Sequence, residues 1–543
     1  MKIQLNEKVV ITIICLLFLI PLVPAGLYQT HDASVNIARF AAYFKSFSDG
    51  QIPPRWAGNL NYNYGSPVFI FFYPLPGYAA SALHFLGISF ENSFKLLVSL
   101  AFILCAISFY IWSSKLFKPK VALTSSLIYA LAPYHFLNIY VRGDIAELMA
   151  LSIVPLVFYN IEKILDKPLI KNIVFGGIFY SLLILAHNSV SLLFTPVLFL
   201  YPFIRKRDKK SLYALLPILI GLAIASYFWI PALLESKYTN AALFVGNLFE
   251  NNFISVSKIL YANWGFGSDI NKTGGLAPQL GIFSALIIIL AVVKYIKSKK
   301  LDFLPTFWFA VLLISIFMAT SYSFIIWSHI SLLKLLEFPW RFFAVTSFAF
   351  AIFSAYILDF FEDKVLLVVL AIFIISCFQF VRVSLPYTSK VDSFYLAYPG
   401  TTYYHGEASP IWTAGDFSKF PKQGIEVISG EAKISNLFRK SNVHSFTVDS
   451  KANSTILDNT AYFPGWRVVV DGVKTPIQFQ DINHRGLITF NVPKGLHKIM
   501  IVFGESQVRF ISDIISFAGI LFVIMLLIFG KRIGIIKKLY EKK

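Results

Sequence analysis

The chain has 543 residues, of which 57% are hydrophobic and only 14% charged, and its mean hydropathy is +0.66. A soluble protein of this length would fold as several domains, but here apolar runs of about 20 residues recur, the length that a helix needs to cross a bilayer. The net charge of +19 does not indicate a nucleic-acid partner, because the lysines and arginines cluster in short loops between apolar runs. Composition therefore predicts a polytopic membrane protein.

The apolar runs and the basic clusters together predict a topology. The stretch 67–87 is apolar but carries three prolines, each of which removes a helical hydrogen bond. If it lies in the outer interface without crossing, every later basic cluster, beginning at Lys115, faces the cytoplasm. We therefore expect about twelve spans with both termini cytoplasmic, the first being an uncleaved span rather than a signal peptide. The expected spans are 9–27, 93–113, 121–139, 145–163, 172–187, 189–204, 212–233, 276–296, 303–320, 341–359, 364–382 and 509–530.

Composition also divides the chain into three parts. Residues 1–384 form the expected transmembrane domain, with a large outer loop at 28–92. Polar residues and strand-like alternation return in 385–507, where the stretch 466–477 predicts a strand, an Asp-Gly turn and a second strand. We expect an extracytoplasmic β-sandwich-like domain there. Residues 508–543 then form a final transmembrane helix with a basic cytoplasmic tail.

His31 and Asp32 stand side by side where the first apolar run ends. One interpretation is a helix N-cap, in which the Asp32 carboxylate accepts backbone N–H bonds from the following turn and His31 lies in the interface. The other is a catalytic base that serves a substrate held at the membrane surface. The pair by itself leaves both interpretations open.

Other scarce charges fall on the same expected outer side. Asp144 and Glu147, three residues apart, open the span at 145, where they either complement the helix dipole or mark a functional site, since ionisable groups at membrane depth are costly. His187 ends another span on this face and by itself predicts only a polar contact. Outer-face arginines run against the positive-inside bias and indicate either anion binding or pairing with lipid phosphate. These arginines are Arg39, Arg55, Arg142 and Arg341.

Several motifs resemble known membrane proteins. A first span, an outer loop with an acid, an amphipathic helix and a half-immersed segment resemble the GT-C superfamily of membrane glycosyltransferases. The stretches 462–467, 470–472 and 492–497 resemble the C-terminal domain of YfhO-type membrane proteins. Four groups of residues in the first outer region resemble the bacterial and archaeal membrane proteins called 6-pyruvoyl-tetrahydropterin synthase-related, a label that does not imply pterin chemistry. They are His31-Asp32 with Ala38-Arg39-Phe40, Pro54-Arg55-Trp56, Tyr64-Gly65-Ser66-Pro67 and Phe72-Tyr73-Pro74-Leu75.

The resemblance implies a polyprenyl-phosphate-linked sugar as donor and transfer on the outer face to a glycan, lipid or protein acceptor. In GT-C enzymes the acid of the first outer loop is the catalytic or acceptor-activating residue, and Asp32 holds that position. A second acid often lies in the next outer loop, where Asp144 and Glu147 stand. Some GT-C enzymes bind a divalent cation between such acids and others do not. The chain lacks the Trp-Trp-Asp signature of oligosaccharyltransferases, so neither metal use nor a peptide acceptor is carried over.

We therefore expect a multi-pass cell-membrane glycosyltransferase of GT-C type, in contact with membrane lipids. Asp32 is the expected base and Arg341 the expected ligand of the donor phosphate, while Asp144 or Glu147 would orient the acceptor or share a metal with Asp32. Two alternatives are a transporter or flippase of a lipid-linked or small polar substrate, and a non-catalytic glycan-assembly protein. The further expected substrate contacts are His31, Arg39, Arg55, Arg142 and His187.

Overall fold

The computed structural model describes residues 6–241, 243, 246–298, 302–404, 406–413 and 417–529. The helices of its first half are α1 (Glu7–Leu17), α2 (Ala33–Ser48), α3 (Val68–Phe71), α4 (Leu75–Phe85), α5 (Phe90–Ser113), α6 (Pro119–Ala130), α7 (Pro133–Phe136), α8 (Ile145–Asp166), α9 (Ile170–Ala186), α10 (Asn188–Arg205), α11 (Lys210–Tyr213), α12 (Leu216–Ile224) and α13 (Ser226–Leu234). Those of its second half are α14 (Ser257–Leu260), α15 (Phe283–Ser298), α16 (Phe303–Ala319), α17 (Phe324–His329), α18 (Ser331–Lys334), α19 (Phe343–Leu358), α20 (Asp363–Cys377), α21 (Asp392–Leu396) and α22 (Gln507–Phe529).

Within the described residues, six helices are long and apolar enough to cross a membrane. The pair Lys210–Ile224 and Ser226–Leu234, bent by 69°, adds a seventh if it forms one span, and α9 and α16 are shorter apolar helices. The expected number of about twelve spans stays a prediction. The six long helices are Phe90–Ser113, Ile145–Asp166, Asn188–Arg205, Pro339–Leu358, Asp363–Phe380 and Gln507–Phe529.

Besides the bent pair within 212–233, two further expected spans are interrupted. In 9–27 the α-helix ends at Leu17, and a short 3-10 turn containing Pro21 follows. In 121–139 the helix α6 ends at Ala130, and Pro133, which lacks a backbone N–H and disfavours a helical residue before it, starts the separate helix α7. A π-helical turn, Leu137–Arg142, then completes this stretch. Proline therefore decides both interruptions.

The segment 67–87 contains only the short helices α3 and α4. The 11 residues of α4 extend about 16 Å at 1.5 Å per residue, whereas a bilayer core is about 30 Å thick. The helix is therefore too short to cross by itself, and the expected interfacial position of this segment stays a prediction.

Basic residues from separate loops meet at one end of the helical bundle. Lys115 and Lys206 both approach Asp166, at 2.8 and 3.8 Å, and Lys120 pairs with Asp363 at 2.5 Å. Lys115 and Lys206 follow α5 and α10, Asp166 ends α8, and Lys120 and Asp363 lie in the first turns of α6 and α20. One bundle end thus gathers the loops that the charge pattern assigns to the cytoplasm.

The β strands lie mainly after the helical bundle. All observed pairings between named strands are antiparallel. A two-stranded sheet joins β1 to β2, a five-stranded sheet has the order β4-β5-β10-β7-β8, and a three-stranded sheet has the order β3-β6-β9. The strands are β1 (Leu27–Gln29), β2 (Ser384–Thr388), β3 (Ile425–Ser429), β4 (Ala432–Arg439), β5 (Val443–Ser450), β6 (Ser454–Ala461), β7 (Trp466–Val470), β8 (Val473–Thr475), β9 (Leu487–Val492) and β10 (Gly495–Phe503).

The strand–turn–strand prediction for 466–477 is confirmed by the β7–β8 hairpin. Its two turn residues, Asp471 and Gly472, have φ angles of 48° and 85°, the left-handed conformation that two-residue hairpin turns require. The three- and five-stranded sheets both contribute to one buried apolar cluster, which includes Ile456 and Phe490 from one sheet and Val468 from the other. This cluster is the core of the β-rich part.

The β-rich part rests on the first outer loop. Trp56 of that loop is buried against Trp466 and Phe503, with ring centroids 5.4 and 5.1 Å apart. The Asp49 carboxylate also accepts a hydrogen bond from the Ser441 amide at 2.8 Å. The strands therefore lie on the same side of the bundle as the loop that carries Asp32.

Candidate active site

Asp32 occupies the N-cap position of α2, but its side chain makes no capping hydrogen bond. The Thr30 hydroxyl accepts the bond from the Ala33 amide instead, at 3.1 Å. The main chain fixes Asp32, because its amide donates to the Arg142 carbonyl at 2.7 Å and the His31 amide donates to Val141 at 3.0 Å. The structure thus contradicts the capping interpretation and leaves a half-buried carboxylate available.

The second outer loop meets Asp32 through a tight turn at Gly143. This residue has a φ of 70°, and a Cβ there would stand 2.6 Å from the Thr30 hydroxyl oxygen and 2.8 Å from the Ala33 nitrogen. Its carbonyl accepts a hydrogen bond from the Asn36 side chain at 3.0 Å. Only glycine allows both this backbone conformation and this close approach, so Gly143 lets Arg142 come beside Asp32.

Arg142 bridges two buried carboxylates. Its Nη2 lies 2.7 Å from Asp144 Oδ2 and its Nη1 lies 2.5 Å from Glu147 Oε2. The three residues are 4%, 5% and 0% exposed. Asp144 also caps α8 by accepting from the Glu147 amide at 3.0 Å, and Tyr134 donates to the Glu147 carboxylate. Asp144 therefore caps the start of α8, and it also belongs to a charged cluster.

His187 joins this cluster from the junction between α9 and α10. Its Nδ1 accepts the Val190 amide at 3.3 Å, its Nε2 lies 4.0 Å from Asp144 Oδ2, and its ring stacks on Tyr73 at 4.6 Å. The buried Nε2 has no hydrogen-bond partner among the described residues. Asp144, Glu147 and His187 each offer a ligand atom within 4.8 Å of the others. The sequence predicted only a polar contact for His187.

Two further arginines retain a free donor. Arg341 binds the Leu336 carbonyl and the Glu337 carboxylate, both at 2.7 Å. Arg39 donates to Asn36 at 3.2 Å and to the Thr402 carbonyl. The Nε of each guanidinium is buried without a hydrogen-bond partner in the described part of the chain, as is that of Arg55. Such donors are costly to leave unpaired, which indicates that an acceptor completes them.

The charges act on one another across this region. Burial and then the Asp144 charge raise the pKa of Asp32, against the opposing effects of Arg142, Arg39 and His31. Burial also acts to raise the pKa of Asp144, but Arg142 and His187 outweigh it and hold that pKa below its ordinary value. Asp32, Asp144 and the arginines beside them therefore form one electrostatic unit.

The structure adds a carboxylate that the sequence did not single out. Burial raises the pKa of Glu407 to about 7, with Glu337 adding to the rise and Arg39 opposing it. Burial and then the Asp32 charge raise the pKa of Tyr404. The sequence indicates either packing or stacking on sugar for the aromatic group that contains Tyr404, but it carries no signal for Glu407. Tyr73, which stacks on His187, lies in a motif on which the family resemblance rests.

Two expected site residues make contacts elsewhere. Arg55 pairs with Asp513 of the last helix at 2.6 Å and donates to the Tyr227 carbonyl at 2.8 Å. His31 points its Nε2 to the Phe266 carbonyl at 2.8 Å. Neither Arg55 nor His31 takes part in the ion pairs that Arg142 forms with Asp144 and Glu147. Arg55 instead links the outer loop to the final span.

Asp144, Glu147 and His187 are residue types that divalent cations accept as ligands. Arg142 already neutralises the two carboxylates at hydrogen-bonding distance, however, so a cation would have to displace it. The three residue types are compatible with a divalent cation, while Arg142 now supplies the neutralising charge. The unpaired donors of Arg39 and Arg341 favour an anion instead.

Comparisons with known proteins give one strong and several weak similarities. Residues 69–388, more than half of the chain, match the family model of the 6-pyruvoyl-tetrahydropterin synthase related domain, described as a membrane protein. An uncharacterized protein of Lactococcus lactis subsp. cremoris is 24% identical over 205 residues, which are 37% of this chain and 33% of that protein. The chain thus spans a third of that relative.

Among solved structures, the chain is similar to the oligosaccharyltransferase of Archaeoglobus fulgidus. The apo form aligns with a TM-score of 0.40 and 14% identity over 75% of this chain and 61% of that chain. Its complex with Zn and sulfate aligns with a TM-score of 0.37 and 14% identity over 75% and 59%. These TM-scores are too low to carry an argument about function.

Proposed function

This chain belongs to the 6-pyruvoyl-tetrahydropterin synthase related family of membrane proteins, and we propose that it is a membrane glycosyltransferase of GT-C type. It moves a sugar from a polyprenyl-phosphate donor to an acceptor on the outer face. The observation that carries the proposal is the Asp32 carboxylate, which is free of any capping bond and held by the main chain beside Arg142. A base needs an available lone pair, and Asp32 supplies one.

Asp32 removes the proton of the acceptor hydroxyl as that oxygen attacks the sugar carbon. The raised pKa of Asp32 suits this role, because a general base works best when its pKa is nearer the operating pH. The sugar–phosphate bond breaks and leaves an anionic polyprenyl phosphate. Arg341 and Arg39, each with an unpaired buried Nε, stabilise that leaving group by charge-assisted hydrogen bonds.

The remaining residues orient the reactants. Arg142 holds Asp144 and Glu147 in place, and these carboxylates position the acceptor. The contacts of Arg55 with the last helix favour a structural role for it over substrate contact. No step of this mechanism passes through a metal.

The proposal includes an arrangement in the membrane. Residues 1–384 form the transmembrane domain, 385–507 an extracytoplasmic domain that covers the site and recognises the acceptor, and 508–543 the final span and tail. Both termini are cytoplasmic. The charged cluster stands where α8 and α10 begin, whereas a transporter places such groups near the bilayer midplane. This position favours transfer over transport.

The experiment is a transfer assay on the purified full chain in liposomes. A panel of polyprenyl-monophosphate sugars is supplied with lipid and glycan acceptors, and both sugar transfer and polyprenyl-phosphate release are measured. We expect release by the wild type with at least one donor and a strong loss in Asp32→Asn. Equal release by both proteins would contradict the proposal. Movement of the intact sugar lipid across the bilayer without release would establish the transporter alternative.

A further inference from the structure

The cluster of Asp144 and Glu147 poses a charge problem. Both carboxylates are buried at the first turn of α8, and two negative charges in so small a space need a cation. Acid and histidine side chains arranged in this way commonly hold a divalent metal. Here the compensating charge comes from the chain itself, because Arg142 reaches both carboxylates at 2.7 and 2.5 Å.

Arg142 is held from several sides. Its Nη1 also donates to the Asn138 side chain at 2.5 Å, and its guanidinium lies 4.7 Å from the centroid of the Trp340 ring. Its backbone belongs to the π-helical turn Leu137–Arg142, which Gly143 closes in a left-handed conformation. The planar fork of arginine suits two acceptors at once, which a lysine ammonium does not reproduce. The guanidinium is therefore a fixed part of the site.

His187 is the third residue, beside Asp144 and Glu147, whose side chain has the chemistry of a metal ligand. Its Nδ1 accepts the Val190 amide, so the proton of the neutral ring is on Nε2. That Nε2 is buried without a partner among the described residues and lies 4.0 Å from Asp144 Oδ2. The donor atoms of Asp144, Glu147 and His187 lie within 4.8 Å of one another. Three ligand atoms thus lie around a position where a metal ion would supply positive charge. The Arg142 guanidinium already supplies that charge.

We propose that Arg142 takes the place of a divalent cation here, so that the native chain binds no metal at Asp144, Glu147 and His187, and that removing its guanidinium opens a three-ligand metal site. The guanidinium already lies 2.7 and 2.5 Å from the two carboxylates, so it neutralises their charge and repels a second cation placed between them. The inference concerns the site of the proposed transferase. Its test measures metal binding, so its failure is distinct from a failure of glycosyl transfer.

The test uses the full chain in detergent after treatment with a chelator. Wild type and Arg142→Met are titrated with Zn²⁺ and with Mn²⁺, and bound metal and thermal stability are measured. Methionine is a flexible apolar side chain that fills irregular space and leaves the carboxylates uncompensated. We expect Arg142→Met to melt below the wild type without metal, to bind one equivalent of Zn²⁺ and to be stabilised by it. The wild type should gain neither bound metal nor stability.

A matched control separates this site from metal bound at the surface. Adding His187→Ala to Arg142→Met should abolish the extra equivalent, whereas Zn²⁺ held elsewhere would remain. Stoichiometric binding by the wild type that Asp144→Asn abolishes would overturn the proposal, whatever the variants do. So would a folded Arg142→Met that gains no metal. If Arg142→Met does not fold, Arg142→Gln, which also lacks the positive charge, takes its place, and the same gain of one equivalent is required.

Discussion

The Asp32 amide donates to the Arg142 carbonyl at 2.7 Å, so the first and second outer loops are joined at the two residues that carry their central charges. Because this bond is between main-chain atoms, it does not depend on either side chain. The main chain thereby positions the Asp32 side chain, which forms no capping hydrogen bond. Substitutions at Asp32 should therefore separate chemistry from folding.

We predict that Asp32→Asn folds normally and binds donor but transfers sugar about 10²–10⁴ times more slowly, the usual contribution of general-base catalysis. Asparagine keeps the size of the side chain and the main-chain bond to Arg142 but is not a base. The measurement is the initial rate of polyprenyl-phosphate release at saturating donor, with Asp32→Ala beside it.

Thr30→Val is the matched control for the cap. The wild-type Thr30 hydroxyl accepts a hydrogen bond from the Ala33 amide at 3.1 Å. Losing an N-cap hydrogen bond lowers stability by about 0.5–2 kcal/mol. That variant should lose stability, and Asp32→Asn should not. Near-normal transfer by Asp32→Asn would remove Asp32 from the mechanism and make Glu147 the next acid to test.

A second prediction compares two outer-face arginines. Arg341→Ala should weaken binding of a polyprenyl phosphate by about 10- to 100-fold, since hydrogen bonds to charged groups contribute about 1.5–3 kcal/mol. Arg55→Ala should leave that affinity unchanged, because the Arg55 guanidinium binds Asp513 of the last helix and the Tyr227 carbonyl and takes no part in the ion pairs of Arg142. Loss of the Arg55 side chain should instead lower the free energy of unfolding by about 1–3 kcal/mol. Binding to the purified variants is measured by titration, and equal effects of both variants would contradict the distinction.

Asp32 and Asp144 should show opposite pH signatures in stability. The pKa of Asp32 is raised in the folded chain, so its ionised form costs stability above that pKa, and the cost shrinks as the pH falls below it and vanishes below the unfolded pKa. Asp32→Asn should therefore be more stable than wild type at pH 7. The difference should disappear as the pH drops to the ordinary aspartate range.

The pKa of Asp144 is lowered, so its ionised form stabilises the fold above the unfolded pKa and this gain is lost as the pH falls through the folded value. Asp144→Asn should therefore be less stable than wild type at pH 7 and approach it in acid. Melting temperatures of the three proteins between pH 3 and 8 provide the measurement. If the melting temperatures of the two variants changed with pH in the same way, the opposite pKa shifts of Asp32 and Asp144 would be refuted.

The expected topology is tested by labelling single cysteines in intact cells. Ser114 and Ser418 are both exposed, and the native cysteines Cys15, Cys105 and Cys377 are buried, so background labelling should be low. An impermeant reagent should label Ser418→Cys and leave Ser114→Cys unmodified until the membrane is opened. The reverse pattern would invert the proposed orientation.

The sequence by itself determined the parts that depend on neighbouring residues. Apolar runs predicted most of the long helices, because burying or immersing such a run in helical form satisfies its backbone. The Asp471-Gly472 pair predicted the β7–β8 turn, because few other residues adopt positive φ at low cost. The side of the membrane on which the charges lie stays a prediction. The interruption at Pro133 also follows from local chemistry, because proline lacks the backbone N–H that a continuous helix needs.

Only the tertiary structure decided which charges meet. Arg55 and Arg142 are chemically identical and stand in similar outer loops, yet Arg55 binds Asp513 from the far end of the chain while Arg142 binds Asp144 and Glu147. His187 reaches Asp144 because two helix ends come together, and Thr30 rather than Asp32 caps α2. Local sequence fixes backbone shape over a few residues. The partner of a side chain depends on distances between elements that are set only when the whole bundle packs.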